Sequence, residues 1–231
     1  EADQSDIPIP VPVFGDLLVV ESRRALEGFR AGWPEERERL AFFGSFRGAA
    51  AALQPRTLGP GAKGRWCFFT SADAKKDVPV LKELIAAAQS AGKDLVVKLH
   101  PRDAAVKYAR FSGFELVPDG SVPKRDLYGT FEFAVAFNSA VIADLFWYDK
   151  PFVLMDIEDE AYFNAKVHQD YTDLLVRRVE DLTPAMRDIE LKRAAFARYR
   201  DQFRRENSGD SGIADIVRGI VTAAGPSRGR A

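Results

Sequence analysis

Cysteine occurs once in the 231 residues, at Cys67, and histidine twice, at His100 and His168. A single cysteine excludes an internal disulfide and a cysteine-based metal cluster. It lies inside the apolar run Trp66-Cys67-Phe68-Phe69 and reads as a core residue. An excess of charge of one sign is also missing: 33 Lys and Arg face 34 Asp and Glu, a formal net charge of −1. That balance gives no global electrostatic case for nucleic acid or an anionic membrane, so any anion site must be built locally. No apolar stretch approaches the roughly 20 residues of a membrane helix. No signal-peptide pattern opens the chain, and neither internal repeats nor low-complexity tracts occur. A cytoplasmic protein without a nucleic-acid partner is the expectation. The first residue is Glu1 rather than Met, which points to something removed from the front.

Apolar residues make up 46% of the chain, enough for a substantial core. Residues 1–13 alternate Pro8, Pro10 and Pro12 with Ile and Val and read as an extended linker. From residue 14 onward, short apolar runs alternate with helical patterns. The expected strands are Leu17–Val20, Leu40–Phe43, Trp66–Thr70, Asp94–Val97, Phe114–Val117, Phe133–Phe137, Phe152–Met155 and Leu174–Val176. Helices are expected from Ser22 to Arg30, Val78 to Ser90, Ala104 to Arg110, Arg125 to Tyr128, Ala140 to Tyr148, Ile213 to Ala223, and without interruption from Thr183 to Arg205. In the second of these, Val80, Leu84 and Ala88 repeat at helical spacing beside Leu81 and Ile85, making one apolar face. Buried strands of four or five residues alternating with helices predict an α/β, Rossmann-like, doubly wound parallel sheet over residues 14–223. Residues 224–231 read as a disordered tail.

The chemistry-bearing residues fall at strand ends. Lys98-Leu99-His100-Pro101-Arg102 follows the run Asp94-Leu95-Val96-Val97, and Pro101 stops the strand where a loop must begin. A histidine and an arginine thereby stand at the carboxyl edge of a buried strand, where ligands of open α/β sheets bind. Thr70-Ser71 and Asn138-Ser139 end two other strands. Ser139 stands where a helix starts, so its hydroxyl joins free backbone N–H groups in a phosphate-binding arrangement. Each feature has a plainer reading, His100 as a strand cap, Arg102 as a solvated charge and Asn138 or Ser139 as an ordinary helix cap. Their convergence on one sheet edge favours a nucleotide-phosphate pocket.

The run Leu95-Val96-Val97-Lys98-Leu99-His100-Pro101-Arg102, then Phe137-Asn138-Ser139-Ala140 about 35 residues on, then Asp149-Lys150-Pro151-Phe152-Val153-Leu154, resembles the carboxyl-terminal donor domain of GT-B glycosyltransferases. Within them it resembles the group with a His-Pro motif and a serine motif. That group comprises bacterial sialyl- and polysialyltransferases, capsule Kdo-transferases and CDP-glycerol glycerophosphotransferases. Gly15-Asp16-Leu17-Leu18-Val19-Val20, Phe43-Gly44-Ser45-Phe46-Arg47 and the later Gly209-Asp210-Ser211-Gly212 turn are similar too, so the resemblance covers residues 14–223. It implies one half of a GT-B fold and an inverting enzyme without metal or bound cofactor. The implied donor is a CMP- or CDP-activated sugar or glycerol, and the implied acceptor a saccharide or a lipid-linked glycan of surface or capsule polysaccharide. It implies that His100 and Ser139 bind the donor phosphate, with His100 catalytic and Lys98, Pro101, Arg102, Asn138 and Ser71 completing the donor site. Two departures stand out. Relatives often have a doubled Ser-Ser or Ser-Thr where this chain has Ser139-Ala140, and a GT-B enzyme has a second, amino-terminal half carrying the base, for which this chain has no room.

Other residues carry weaker expectations. His168 lies in a polar stretch and reads as a surface residue, and Asp156, Glu158, Asp159 and Glu160 read as a solvated acidic loop or as contacts to sugar or ribose hydroxyls. The basic helix Lys192–Arg205 suggests peripheral contact with a membrane, or else its Phe196, Tyr199 and Phe203 stripe packs against the sheet or the absent half. The rival classes of function are a noncatalytic nucleotide- or protein-binding Rossmann module and a sugar-nucleotide epimerase relative.

Overall fold

The computed structural model describes residues 18–19, 23–42, 45, 48, 63–137, 141–157, 171–207 and 213–224. The expected linker, residues 138–140, residues 158–160 and His168 lie outside the described residues, as does all of the expected tail but Ala224. The chain divides into two compact units, one of residues 1–55 and 201–231 and one of residues 56–200. In the first, β1 (Leu18–Val19) pairs in parallel with β2 (Leu40–Ala41), Leu18 opposite Leu40. They are joined through α1 (Arg23–Gly32) and a 3-10 turn over Pro34–Arg39.

The second unit holds a six-stranded sheet made of β3 (Arg65–Phe69), β4 (Asp94–Lys98), β5 (Glu115–Val117), β6 (Phe133–Phe137), β7 (Phe152–Met155) and β8 (Leu175–Val176). Every pairing is parallel, in the order β5-β4-β3-β6-β7-β8. Near-continuous apolar sequences form these strands because both faces are covered. On one face Trp66, Phe68, Leu95, Val97, Phe133 and Val135 pack with Val80, Leu81, Leu84 and Ala88 of α2 (Ala74–Ala91) and with Leu182 and Met186 of α5 (Leu182–Arg187). On the other face Phe152 meets Phe146 of α4 (Val141–Trp147) and Phe196 of α6 (Ile189–Asn207). A short helix, α3 (Lys124–Gly129), precedes β6, and α7 (Ile213–Ala224) belongs to the first unit.

Most boundaries shift by one or two residues, and three helices differ more from the sequence reading. α2 starts at Ala74 rather than Val78, because the Asp73 carboxylate caps it by accepting from Lys75 N, and Pro79 is accommodated in its second turn. The helix expected over Ala104–Arg110 is a single 3-10 turn, Ala105–Tyr108. The long helix expected over Thr183–Arg205 is two helices parted at Asp188, whose carbonyl oxygen accepts from Leu191 N and Lys192 N to start α6. The break is needed because α5 packs on one face of the sheet and Phe196 on the other. Of the alternatives for the aromatic stripe of this helix, packing against the sheet is the one seen for Phe196 and Tyr199, whose rings lie against Phe146, Phe152 and Tyr171 of the same unit. Among the described residues no helix is long and apolar enough to cross a membrane.

The chain builds β3, steps outward through β4 and β5, and returns to the opposite side of β3 with β6. In open α/β sheets such a reversal leaves a crevice at the carboxyl ends of the two diverging strands, and ligands bind there. The loops after β3, β4 and β6 therefore hold the candidate site.

Candidate functional site

The loop after β3 is Thr70-Ser71-Ala72-Asp73, and Ala72 adopts a left-handed conformation, φ 74°. A side chain in that region carries a strain of about 1–2 kcal/mol that glycine avoids. Ala72→Gly is therefore expected to raise unfolding stability by about 0.5–1 kcal/mol after the extra entropy of an unfolded glycine is subtracted, as denaturant titration would show. The loop's hydrogen-bonding groups are largely engaged from within. Ser71 N donates to Asp77 Oδ1 (2.8 Å), Asp73 N donates to Ser71 Oγ (3.2 Å) and Lys75 N donates to Asp73 Oδ1 (2.9 Å). Two carboxylates thus take N–H groups that a phosphate would otherwise use, and the Ser71 hydroxyl also faces the Asp77 carboxylate.

The loop after β4 holds His100-Pro101-Arg102-Asp103 as a turn closed by Asp103 N donating to the His100 carbonyl oxygen (2.8 Å). His100 is partly buried, and Pro101 and Arg102 are exposed. Arg102 N donates to His100 Nδ1 (3.1 Å). With Nδ1 an acceptor, the neutral ring carries its proton on Nε2, so the free side of the imidazole is a donor. Among the described residues the Arg102 guanidinium forms no ion pair. Lys98 is committed elsewhere: its ammonium donates to Asp119 Oδ1 (2.6 Å) and to the Leu99 carbonyl oxygen (2.7 Å), and it holds the Asp119 carboxyl below its usual range.

Thr70, at the end of β3, ties the two loops together. Its Oγ1 accepts from His100 N (2.9 Å) and donates to Asp103 Oδ2 (2.8 Å). Asp103 has no exposed side-chain surface and also receives Ala104 N (2.9 Å), Lys107 Nζ (2.8 Å) and Tyr108 Oη (2.5 Å). Burial acts to raise its pKa, yet the donors from Lys107, Tyr108, Thr70 and Ala104 prevail and hold it below the ordinary value. Tyr108 Oη lies 2.9 Å from Asp77 Oδ2 as well. One hydroxyl has one proton. It is shared between the two carboxylates, and burial, with a smaller contribution from the nearby Asp103 charge, pushes the Asp77 carboxyl above its ordinary value.

The structure thus brings Ser71, Thr70 and the His100-Pro101-Arg102 turn to adjacent strand ends and turns the Lys98 amine to Asp119. Asn138 and Ser139, which follow β6, lie outside the described residues. The sequence reading missed Asp77, Asp103 and Tyr108. Asp77 had a signal: it extends the apolar stripe of Val80, Leu81 and Leu84 by one turn, and a carboxyl on such a stripe needs a partner. Asp156 pairs at 3.9 Å with Arg177 after β7. Among the described residues no group of three or more His, Cys, Asp or Glu is placed to hold a metal ion.

No family model and no curated protein matches the sequence. Solved structures do match. The wall teichoic acid polymerase TagF, in a variant soaked with CDPG, superposes with a TM-score of 0.56 at 15% identity over 89% of this chain. The UDP-GlcNAc 2-epimerase of Methanocaldococcus jannaschii, in complex with UDP-GlcNAc and UDP, gives 0.58 at 12% identity over 90%. The pneumococcal O-GlcNAc transferase GtfA, with UDP and GlcNAc, gives 0.51 at 10% identity over 90%. The likeness is one of fold. This chain has the Rossmann-like α/β architecture found in GT-B glycosyltransferases and in the epimerase, and it spans 57%, 61% and 44% of those three chains.

Proposed function

We propose that this chain is the donor-nucleotide-binding part of an inverting, metal-independent GT-B glycosyltransferase of surface polysaccharide synthesis, acting on a CMP- or CDP-activated donor. The observation that carries the reading is the placement of His100. It ends a strand beside the point where strand order reverses, with Nδ1 occupied and Nε2–H free to donate. In this reading Nε2–H and the Arg102 guanidinium meet the donor phosphate, and the Ser71 hydroxyl adds a third donor by turning from Asp77 to the phosphate. With a sugar donor, as the bond from the anomeric carbon to the phosphate oxygen breaks, that oxygen takes the electron pair, and the His100 hydrogen bond strengthens with the growing charge; with a glycerol-phosphate donor the bond that breaks is the phosphoanhydride, and its leaving phosphate oxygen takes the pair. The acceptor hydroxyl attacks from the opposite face after losing its proton to a base, inverting the centre. The base and the acceptor wall belong, in this proposal, to a second Rossmann-like body. Asn138 and Ser139 are assigned to the phosphate on the resemblance alone. Lys98, held by Asp119, acts through the local field rather than by direct contact.

The TagF structure soaked with CDPG supports a cytidine diphosphate donor, including a glycerol-phosphate one, while the other two neighbours hold uridine nucleotides. One observation favours a noncatalytic nucleotide- or protein-binding module instead: Asp73 and Asp77 occupy the N–H groups of the first loop. Calorimetric titration with CMP, CDP, UMP, UDP and ADP separates these readings. Cytidine nucleotides are expected to bind, with EDTA making no difference. His100→Ala is expected to weaken binding by about 1.5–3 kcal/mol, the scale of a hydrogen bond to a charged group, without lowering the melting temperature. Failure of all five nucleotides at millimolar concentration would remove the donor-domain reading.

A further inference from the structure

We propose that Asp103 is a positioning residue, which through Thr70 fixes the backbone of His100 and so aims the imidazole into the crevice. The inference rests on the donor-site reading above for its functional consequence, while its structural part stands alone. Four observations carry it. The Asp103 carboxylate is fully buried yet has four donors, from Thr70, Ala104, Lys107 and Tyr108. Thr70 is held in one donor-acceptor direction, because His100 N can only donate to it and the Asp103 carboxylate can only accept from it. The Asp103 backbone N–H closes the turn on the His100 carbonyl oxygen. His100 is therefore gripped at both its N–H and its C=O by a pair that Asp103 controls. Lys107 Nζ, shared between Asp103 and the Ala72 carbonyl oxygen (3.2 Å), extends the same clamp to the loop after β3.

The requirement for a carboxylate, rather than any small polar group, follows from counting protons. Three neutral donors and one ammonium converge on two oxygens, and an amide at this position would replace one of those acceptors with a donor. Tyr108 strengthens the point. Its hydroxyl is shared between the Asp103 and Asp77 carboxylates, and the Lys107 ammonium at Asp103 offsets the charge of the carboxylate it touches. Asp103→Asn breaks this assignment. Thr70→Val removes the hydroxyl bridge, both the acceptor for His100 N and the donor to Asp103, while leaving the other three Asp103 donors, and Thr70→Ser restores the hydroxyl while dropping a methyl group.

Two measurements test the proposal. The first needs no nucleotide: amide hydrogen exchange followed by NMR. The His100 amide is expected to lose at least about tenfold protection in Asp103→Asn and Thr70→Val relative to Val96 and Val97 in the preceding strand, and to keep it in Thr70→Ser. Equal loss along the whole of β4, or no loss at His100, would overturn the positioning role. The second is CDP binding in a cycle with His100→Ala. Asp103→Asn and Thr70→Val should each weaken binding about tenfold when His100 is present, and by less than about twofold when it is alanine. Additive effects would overturn it. If the wild-type chain binds no nucleotide, the donor-domain reading falls while the exchange result still decides whether Asp103 positions His100. Should Asp103→Asn fail to fold, the Thr70→Val and Thr70→Ser pair decides the same question.

Discussion

Lys150→Met is expected to stabilise the protein at pH 7, by about 2 kcal/mol, although it removes a hydrogen bond. Lys150 is 6% exposed, and its ammonium donates to the Phe131 carbonyl oxygen (3.0 Å) while lying 5.4 Å from the centre of the Phe131 ring. The neighbouring Asp149 is already paired with Arg200 at 2.6 Å. Burial pushes the Lys150 pKa down from 10.5 to about 8, and the Asp149 charge only partly restores it. Because the folded value lies below the unfolded one, the unfolded chain binds the extra proton between pH 8 and 10.5, and stability rises with pH across that window. At pH 7 the full penalty of holding the ammonium applies, about 3 kcal/mol from the size of the shift. Met keeps the length and the apolar stem. It leaves the Phe131 carbonyl short of one donor, which returns about 1 kcal/mol of the gain. Urea unfolding of both proteins at pH 7 and near pH 10 checks the sign. The stability difference should be largest at the lower pH and shrink at the higher one; a variant less stable at pH 7 would show that the ammonium is better partnered than this geometry implies.

The strands were legible in the sequence because a parallel strand covered on both faces is an uninterrupted apolar run, and β6 and β7 were located residue for residue. The fold class followed from their alternation with helices. Helix boundaries were less legible where local pattern and tertiary need diverge. The pattern from Thr183 to Arg205 looks like one helix, yet the chain turns at Asp188 to cover both faces of the sheet, and nothing local announces that. The same holds for the site. His100 and Arg102 could be placed from a strand ending in proline. The Thr70–Asp103 bond joins residues 33 positions apart, and the Asp77–Tyr108 contact joins residues 31 apart, each a single polar residue of common type. Only the register of β3 on β4, with Phe69 opposite Lys98, brings Thr70 under His100. Lys98 shows the converse: its place at the strand end suggested a phosphate contact, but Asp119, beyond the neighbouring β5, reaches it first.

Phe196→Ala is expected to cost about 3–5 kcal/mol, the range for removing a fully buried aromatic ring, because it strips the second face of the sheet of its cover. Phe196 is 2% exposed and stacks on Phe146 at 5.5 Å between centroids while meeting Phe152 edge-on at 5.8 Å. Phe146 and Phe152 are also in edge contact, at 5.2 Å, so the three rings form a closed set in which each supports the other two. A solvated or membrane-facing ring at position 196 would lose almost nothing on truncation, whereas a ring with this surrounding leaves a cavity the sheet cannot collapse into. The comparison with Leu191→Ala makes the reading local. Leu191 lies on the same helix but is 71% exposed, and its truncation should change stability by no more than about 0.5 kcal/mol. Denaturant midpoints of the two variants, read with an unchanged slope, would separate these expectations. Loss of similar size at both positions would mean that the Phe196 ring contributes no more than an exposed side chain of the same helix, against its closed contact with Phe146 and Phe152.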